Sequence, residues 1–222
     1  MSRRTILIQI DGAAVQGDLV VPQGARQIIA FAHGSGSSRR SPRNTYVADV
    51  LNEAGLATLL FDLLTEDEGR EDMYTARLRF DIELLTRRLL RATDSILEDE
   101  SLRSLAVGYF GASTGAAAAL VAAARRPDVV GAVVSRGGRP DLAESSLPHV
   151  RAPTLLIVGG KDEQVLEMNR DALAKLPGEK QLSIVPGATH LFEEAGALDQ
   201  VAAVARGWFA QQLKLPTERE EK

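Results

Sequence analysis

Ser113 lies between two glycines in the stretch GYFGASTG, after an apolar run and before an alanine-rich one. This pattern predicts a sharp turn from a strand into a helix, where glycines at 111 and 115 leave room for neighbouring backbone and the serine hydroxyl stands out at the sheet edge. A serine in this position can attack an acyl group when a base removes its proton. By itself the pattern also fits a small residue in a tight bend.

The base that this chemistry requires must be one of three histidines, at positions 33, 149 and 190. His190 lies in VPGATHLFEE, between the predicted last strand and the last helix, where a loop can carry it over the sheet edge. We therefore predict that His190 is the general base. His33 is predicted to brace its own loop by hydrogen bonds, with a role as second base as the alternative.

A histidine base also needs a carboxylate that holds its tautomer and stabilises the imidazolium. Asp162 follows a predicted strand in LLIVGGKDEQV, which makes it the predicted acid. The chain order Ser113, Asp162, His190 is the order of nucleophile, acid and base expected for a hydrolase built on a parallel sheet. Asp162 could instead only cap the next helix, and Glu163 and Asp141 are the substitute acids.

The stretch FAHGSGSS is the predicted oxyanion loop, because its small residues let backbone N–H groups approach a ligand. The amide of Ser35 is predicted to act together with that of Thr114, which lies in the first turn of the helix after Ser113. Gly34 is a candidate substrate-binding residue in the same loop. The alternative for the whole stretch is a flexible surface loop.

Two arginines flank a pair of glycines directly after a predicted strand, in SRGGRPDLAE. Either Arg136 or Arg139 could reach into the site and bind an anionic group such as a substrate carboxylate. Alternatively, they pair with loop carboxylates such as Asp141 or Glu144.

The elements that position these residues are predicted from apolar runs of strand length that alternate with helical patterns. TILIQI and GDLVVP read as an opening hairpin, and residues 72–98 read as one long amphipathic helix. The count is about eight strands in a mostly parallel sheet, with helices on both faces. Such a sheet binds ligands at the carboxyl ends of its strands, where the candidate residues lie.

Composition limits the remaining possibilities. A chain of 222 residues with 45% hydrophobic residues predicts one domain over 1–222, with a frayed tail at 213–222. The net charge of −4 argues against nucleic acid as a partner, and the absence of Cys excludes disulfides and thiolate metal sites. With no signal peptide or membrane span in the sequence, we expect a cytoplasmic protein, monomer or homodimer, that binds a small molecule and no metal.

The pieces FAHGSGSS, GASTG, GGKDEQV and GATHLFEE together resemble the α/β-hydrolase superfamily, specifically its small dienelactone-hydrolase-like members, from about Thr5 to Leu213. The resemblance implies an eight-stranded sheet whose second strand is antiparallel, and a Ser-His-Asp ester hydrolase that works without a cofactor. The dienelactone hydrolases use cysteine as the nucleophile. The serine of this chain is more similar to that of a carboxylesterase.

The expected function is hydrolysis of carboxylic esters with short acyl groups. Only GGRPDLAESSLPHVRA separates two predicted strands where larger hydrolases insert a cap, so no large cap is expected. The pocket should be open, or shallowly covered by that segment and by LLTEDEGREDMY. The alternatives are a thioesterase or lactonase, and a non-catalytic small-molecule binding protein on a hydrolase scaffold.

Overall fold

A computed structural model describes residues 1–10 and 12–214 of the chain. Eight strands form one sheet in the order β1-β2-β4-β3-β5-β6-β7-β8. The strands are β1 Ser2–Ile10, β2 Ala13–Val21, β3 Gln27–Ala32, β4 Ala57–Phe61, β5 Ala106–Ala112, β6 Val130–Arg136, β7 Thr154–Gly159 and β8 Lys180–Val185. β2 is antiparallel to both of its neighbours, and the pairs from β4 to β8 are parallel. The predicted fold class is confirmed, including the antiparallel second strand.

Helices cover both faces of the sheet. They are α1 Pro42–Glu53, α2 Glu66–Thr75, α3 Ile82–Glu98, α4 Thr114–Arg125, α5 Glu163–Lys175 and α6 Ala197–Gln212, with 3₁₀ segments at Leu78–Phe80 and Pro140–His149. α1 and α6 pack on one face, whereas α3 and α4 pack on the other. No separate cap domain interrupts the described elements. Within this part of the chain, no helix combines the length and the apolar character that crossing a bilayer requires.

β5 lies in the middle of the sheet and is buried along its whole length. Its side chains alternate between the two faces, so that Val107 and Tyr109 join the core under α3 and α4, while Phe110 joins the core under α1 and α6. Phe110 stacks on Phe31 of β3 with ring centroids 4.8 Å apart. This packing holds the carboxyl end of β5, where Ser113 follows, in a rigid position.

The prediction of a single long helix over 72–98 is wrong. α2 ends at Thr75, and Ala76 has a left-handed backbone with φ 50°. The Asp72 carboxylate accepts hydrogen bonds from the amides of Leu78 and Arg79, which satisfies backbone donors outside the helix. Asp81 then caps α3 by accepting from the Leu84 amide. The apolar periodicity runs across this break because side-chain caps, which periodicity does not report, end one helix and begin the next.

Two segments that the sequence predicted as a loop and a frayed tail are ordered in the structure. Residues 13–16, expected in the loop of the first hairpin, pair with β1 down to Ile10 opposite Ala13. Leu213, expected in the frayed tail, is buried in the core, and its carbonyl accepts from the Gln27 side-chain amide at 2.5 Å. The rest of the predicted tail, 215–222, lies outside the described residues.

Candidate active site

Ser113 occupies the turn between β5 and α4 with φ 50° and ψ −118°. A residue other than glycine pays about 1–3 kcal/mol for such a backbone, and strained positions of this kind are concentrated at functional sites. The surrounding backbone maintains the strain, because the Ser113 amide donates to the Arg136 carbonyl at 3.1 Å and its carbonyl accepts from the Arg139 amide at 3.2 Å. The turn therefore has the backbone geometry of a nucleophile elbow.

The glycines on either side of Ser113 are required by close backbone contacts. A Cβ added at Gly111 would lie 2.4 Å from the Cα of Ala116, and one at Gly115 would lie 2.2 Å from the carbonyl oxygen of Ala32 and 2.4 Å from that of His33. No side chain fits at these distances. The sequence-based explanation of the two glycines is thus confirmed, and α4 begins directly against the end of β3.

Replacing Gly115 is expected to destabilise the protein. We expect Gly115→Ala to lower the free energy of unfolding by about 3 kcal/mol or more, because the obstructing atoms are backbone oxygens that cannot rotate away. Gly207→Ala in α6 is the matched control, since no atom lies within 4 Å of the added Cβ. The control should gain about 0.5–1 kcal/mol from helix propensity. Urea unfolding followed by circular dichroism measures both, and equal stability of the two variants would contradict the packing argument.

The structure brings His190 and Asp162 together. The Nδ1 atom of His190 donates to Oδ2 of Asp162 at 2.6 Å, and hydrogen bonds to an ionised carboxylate are shorter and stronger than neutral ones. Asp162 occupies the N-cap position of α5, but its side chain makes no capping hydrogen bond. Its carboxylate therefore orients the imidazole, and the alternative role as a simple helix cap is not adopted. His190 remains 37% exposed and Asp162 only 15%, so the imidazole can meet a substrate while its partner is shielded.

Close packing at the end of β7 positions the His190 loop beside Asp162. A Cβ at Gly159 would lie 2.5 Å from the carbonyl oxygen of Ala188, so only glycine allows the His190 loop to lie against this strand end. The Lys161 amide donates to the same carbonyl at 2.9 Å. Phe192, two residues after His190, is buried with φ 57° and anchors the other end of the loop. The sequence analysis missed Gly159 and Phe192, although a glycine pair after a strand was a usable signal.

Ser113 and His190 lie against the same turn, which follows β6. The carbonyl of Arg136 and the amide of Arg139 bind the Ser113 backbone, as described above. A Cβ built on Gly137, between them, would lie 3.4 Å from Cε1 and 3.5 Å from Nδ1 of His190. Within the described chain the Ser113 hydroxyl makes no hydrogen bond. The three candidate catalytic residues therefore share one edge of the sheet, where Ser113 and His190 both contact one glycine-rich turn.

The predicted oxyanion loop lies beside Ser113. The hydroxyls of Ser35 and Thr114 are 3.0 Å apart, which holds the loop against the start of α4. A Cβ on Gly34 would lie 3.2 Å from the Cβ of Ser113, so this glycine permits the close approach of the loop. Because Thr114 is the first residue of α4, its amide has no acceptor within the helix. The loop that carries the Ser35 amide and the start of α4 that carries the Thr114 amide thus both lie beside Ser113.

His33 braces this loop, as the sequence analysis predicted. Its Nε2 atom accepts from the Leu63 amide at 3.1 Å, so its Nδ1 carries the proton and donates to the Gly34 carbonyl at 3.0 Å. Burial lowers the pKa of His33 below its usual value, which favours the neutral ring that these two bonds require. Both nitrogens are occupied, so His33 is not available as a second base.

A cavity of about 290 Å³ opens beside the oxyanion loop. Ser35 and Thr114 line it, and residues between Asp62 and Met73, a segment that contains most of α2, line it as well. The sequence-based expectation of a shallow cover is met by this segment alone. The other predicted cover, residues 137–152, does not line the cavity, and its 3₁₀ segment Pro140–His149 packs against α4 and α5.

The two candidate substrate-binding arginines have different environments. Arg139 forms a bidentate pair with Asp141 at 2.9 and 2.7 Å and thereby holds the pKa of that carboxyl below its usual value. Asp141 is therefore not a substitute acid for His190, and Arg139 is not directed at a substrate. Arg136 is only 8% exposed and has no such pair.

Comparison with solved structures shows the same fold in proteins of low sequence identity. Est1E from Butyrivibrio proteoclasticus superposes with a TM-score of 0.80 at 17% identity, covering 94% of this chain and 98% of that one. A relative with higher sequence identity has a name from a different class of protein. A Mycobacterium tuberculosis protein named "Putative phosphoribosyl transferase" is 60% identical over 199 residues, which cover 90% of this chain. This chain spans only 44% of the length of that relative.

A solved structure with high identity points to one family. The crystal structure of a dienelactone hydrolase from Anabaena variabilis has a TM-score of 0.94 and 58% identity, and the match covers 96% of this chain and 99% of that one. The family model for the dienelactone hydrolase family matches residues 18–215, which include the serine elbow, the oxyanion loop and the histidine–aspartate pair. The chain belongs to the dienelactone hydrolase family.

Proposed function

We propose that this hydrolase cleaves carboxylic esters through a triad of Ser113, His190 and Asp162 and an acyl-enzyme intermediate. The observation that carries the proposal is the 2.6 Å contact between His190 and Asp162 at the same sheet edge as the strained Ser113. Membership of the dienelactone hydrolase family supports hydrolysis as the class of reaction.

In the first half of the reaction, the Ser113 hydroxyl attacks the ester carbonyl while Nε2 of His190 takes its proton. Asp162 engages Nδ1, so Nε2 is the nitrogen available as base, and the carboxylate stabilises the imidazolium. The amides of Ser35 and Thr114 bind the oxyanion of the tetrahedral intermediate. One such donor is typically worth about 3 kcal/mol in the barrier. The hydrogen bond between Ser113 and His190 need form only when substrate binds, because catalytic hydrogen bonds are often long in the absence of substrate.

In the second half, the imidazolium returns its proton to the leaving alcohol as the carbon–oxygen bond breaks. Water then enters, His190 removes one of its protons, and the hydroxide adds to the acyl carbonyl. The second tetrahedral intermediate collapses to release the carboxylic acid and the Ser113 hydroxyl, which recovers its proton from His190. The reaction consumes only the ester and one water molecule.

The size of the cavity indicates short acyl groups. At about 290 Å³ it lies at the lower end of the range for small-molecule sites, and long acyl chains need more apolar enclosure. A panel of p-nitrophenyl esters with increasing acyl length measures this directly. We expect kcat/KM to be highest for acetate to butyrate and to fall by about tenfold or more for octanoate and longer esters. A rate that rises steadily with chain length would contradict the short-acyl assignment.

Labelling by a fluorophosphonate tests the nucleophile itself. The probe reacts with activated serines, so it should label the wild-type protein and not Ser113→Ala. A protein that binds small molecules on a hydrolase scaffold without catalysis would bind an ester tightly and show neither labelling nor turnover.

A lactonase is the second candidate. The observation that favours it is the 58% identity to a structure whose name is dienelactone hydrolase. The same nucleophile and oxyanion site would act on a cyclic ester. Lactones assayed beside the p-nitrophenyl esters separate the two functions by the ratio of their kcat/KM values.

A further inference from the structure

Arg136, the last residue of β6, is a buried cation whose side chain has no partner among the described residues. Its side chain shares a face of the sheet with Ala132 and Val134, which pack under α1 and α6. Its Nη1 atom is fully buried and unbonded, and its guanidinium has no hydrogen bond or ion pair with any residue in the described ranges. Buried arginines are almost always paired, because removing the charge from water is costly. A cation retained in this state indicates that an anion binds there.

A second cation, Arg43, acts on the charge of Arg136. Burial lowers the pKa of the Arg136 guanidinium to about 10, and the positive charge of Arg43 acts in the same direction. Arg43 lies in the first turn of α1, on the same face of the sheet. Its Nη1 donates to Glu193 at 3.0 Å, but its Nε is buried and has no partner. The two arginines thus present buried N–H donors that no described residue satisfies.

Arg136 flanks the candidate active site on the side away from the cavity. Arg136 is in register with Ala112, and its carbonyl accepts from the Ser113 amide. β6 neighbours β5 on one side, whereas β3, which leads into the oxyanion loop and the cavity, neighbours it on the other. Glu193, the partner of Arg43, is three residues from His190. An anion bound by the two arginines would therefore lie next to the reacting groups.

We propose that Arg43 and Arg136 form a binding site for an oxyanion, a carboxylate or a phosphate, beside Ser113. The site takes either the anionic end of an ester substrate or a free anion of the same chemistry. Guanidinium groups suit such oxyanions because their N–H donors match two or more acceptor oxygens. The substrate arm of this inference rests on the proposed ester hydrolysis.

The substrate arm compares anionic esters with neutral ones of matched shape. Mono-p-nitrophenyl adipate against p-nitrophenyl hexanoate places the charge on the acyl side, and 4-acetoxybenzoate against its methyl ester places it on the leaving group. We expect the wild type to prefer the anionic member of at least one pair in kcat/KM. Arg136→Met and Arg43→Gln should each lower that preference by about tenfold or more, and because the preference is a ratio within one matched pair, a general loss of activity cancels from it. Arg125→Gln, which removes an exposed cation paired with Glu83, should keep the preference.

The free-anion arm measures thermal unfolding with inorganic phosphate against chloride at equal ionic strength. Phosphate should raise the Tm of the wild type and of Arg125→Gln, and not that of Arg136→Met. Arg136→Met without added anion should be at least as stable as the wild type, because it removes an unpaired buried charge. This arm needs no turnover, so it decides the anion site even if ester hydrolysis fails.

The two measurements distinguish an anionic substrate from a free anion, and a binding site from an arginine that serves only the fold. A preference for an anionic ester without a phosphate effect assigns the site to the substrate, and a phosphate effect alone assigns it to a free anion. The proposal is overturned if the wild type shows neither. It is also overturned if Arg136→Met lowers the Tm and slows both members of each ester pair equally, because Arg136 would then serve the fold alone.

Discussion

Ser113→Ala is expected to lower kcat for p-nitrophenyl acetate by about 10⁴–10⁶-fold, the loss typical of removing the nucleophile of a serine hydrolase. The reason is that the hydroxyl forms the acyl-enzyme bond, for which neither His190 nor water at the same position can substitute. Steady-state release of p-nitrophenol measures the effect. Ser95→Ala, half-buried in α3, is the matched control and should keep the wild-type rate, because among the described residues its hydroxyl bonds only the Arg91 carbonyl.

A second substitution at the same position separates the loss of the hydroxyl from a loss of fold. Glycine adopts the backbone of residue 113, at φ 50°, without strain. We therefore expect Ser113→Gly to be as inactive as Ser113→Ala but more stable than the wild type by about 1 kcal/mol in urea unfolding. Substantial turnover by either variant would show that Ser113 is not the nucleophile.

Asp162→Asn is expected to lower kcat by about 10⁴-fold. The neutral amide cannot stabilise the imidazolium, and its N–H group favours the wrong histidine tautomer. The Asp162 side chain makes no capping bond to α5, so the fold should survive the change, as thermal unfolding can verify. The KM should change less than kcat, because the carboxylate acts through His190 and does not touch the substrate.

Glu163→Gln is the matched control for this prediction. Glu163 is the neighbouring residue, exposed in the first turn of α5, and it was the substitute acid suggested by the sequence. We expect its kcat to stay within about twofold of the wild type, since charges on exposed positions contribute little. If Glu163→Gln were inactive and Asp162→Asn active, the acid would be Glu163 and the observed pair with His190 would be structural.

Local pattern alone determined much of this molecule. Gly111 and Gly115 around one serine predict a tight strand-to-helix turn because a Cβ at either position would collide with backbone, which holds wherever such a turn occurs. The strands and their parallel arrangement follow from apolar runs that alternate with helical patterns. The parallel strands end at one edge, so the positions of Ser113, Asp162 and His190 after three of these strands were sufficient to predict that they share it.

Only the tertiary structure decided which side chains pair. The sequence left Asp162 as either an acid or a cap, and it left Arg136 and Arg139 equivalent. The fold binds Asp162 to His190, pairs Arg139 with Asp141 and leaves the Arg136 side chain buried with no partner in the described part of the chain. It also broke the predicted helix at Ala76, so that α2 covers the cavity. Hydrogen bonds and ion pairs require distances near 3 Å and correct orientation, and these are properties of residues distant in the chain that no local pattern encodes.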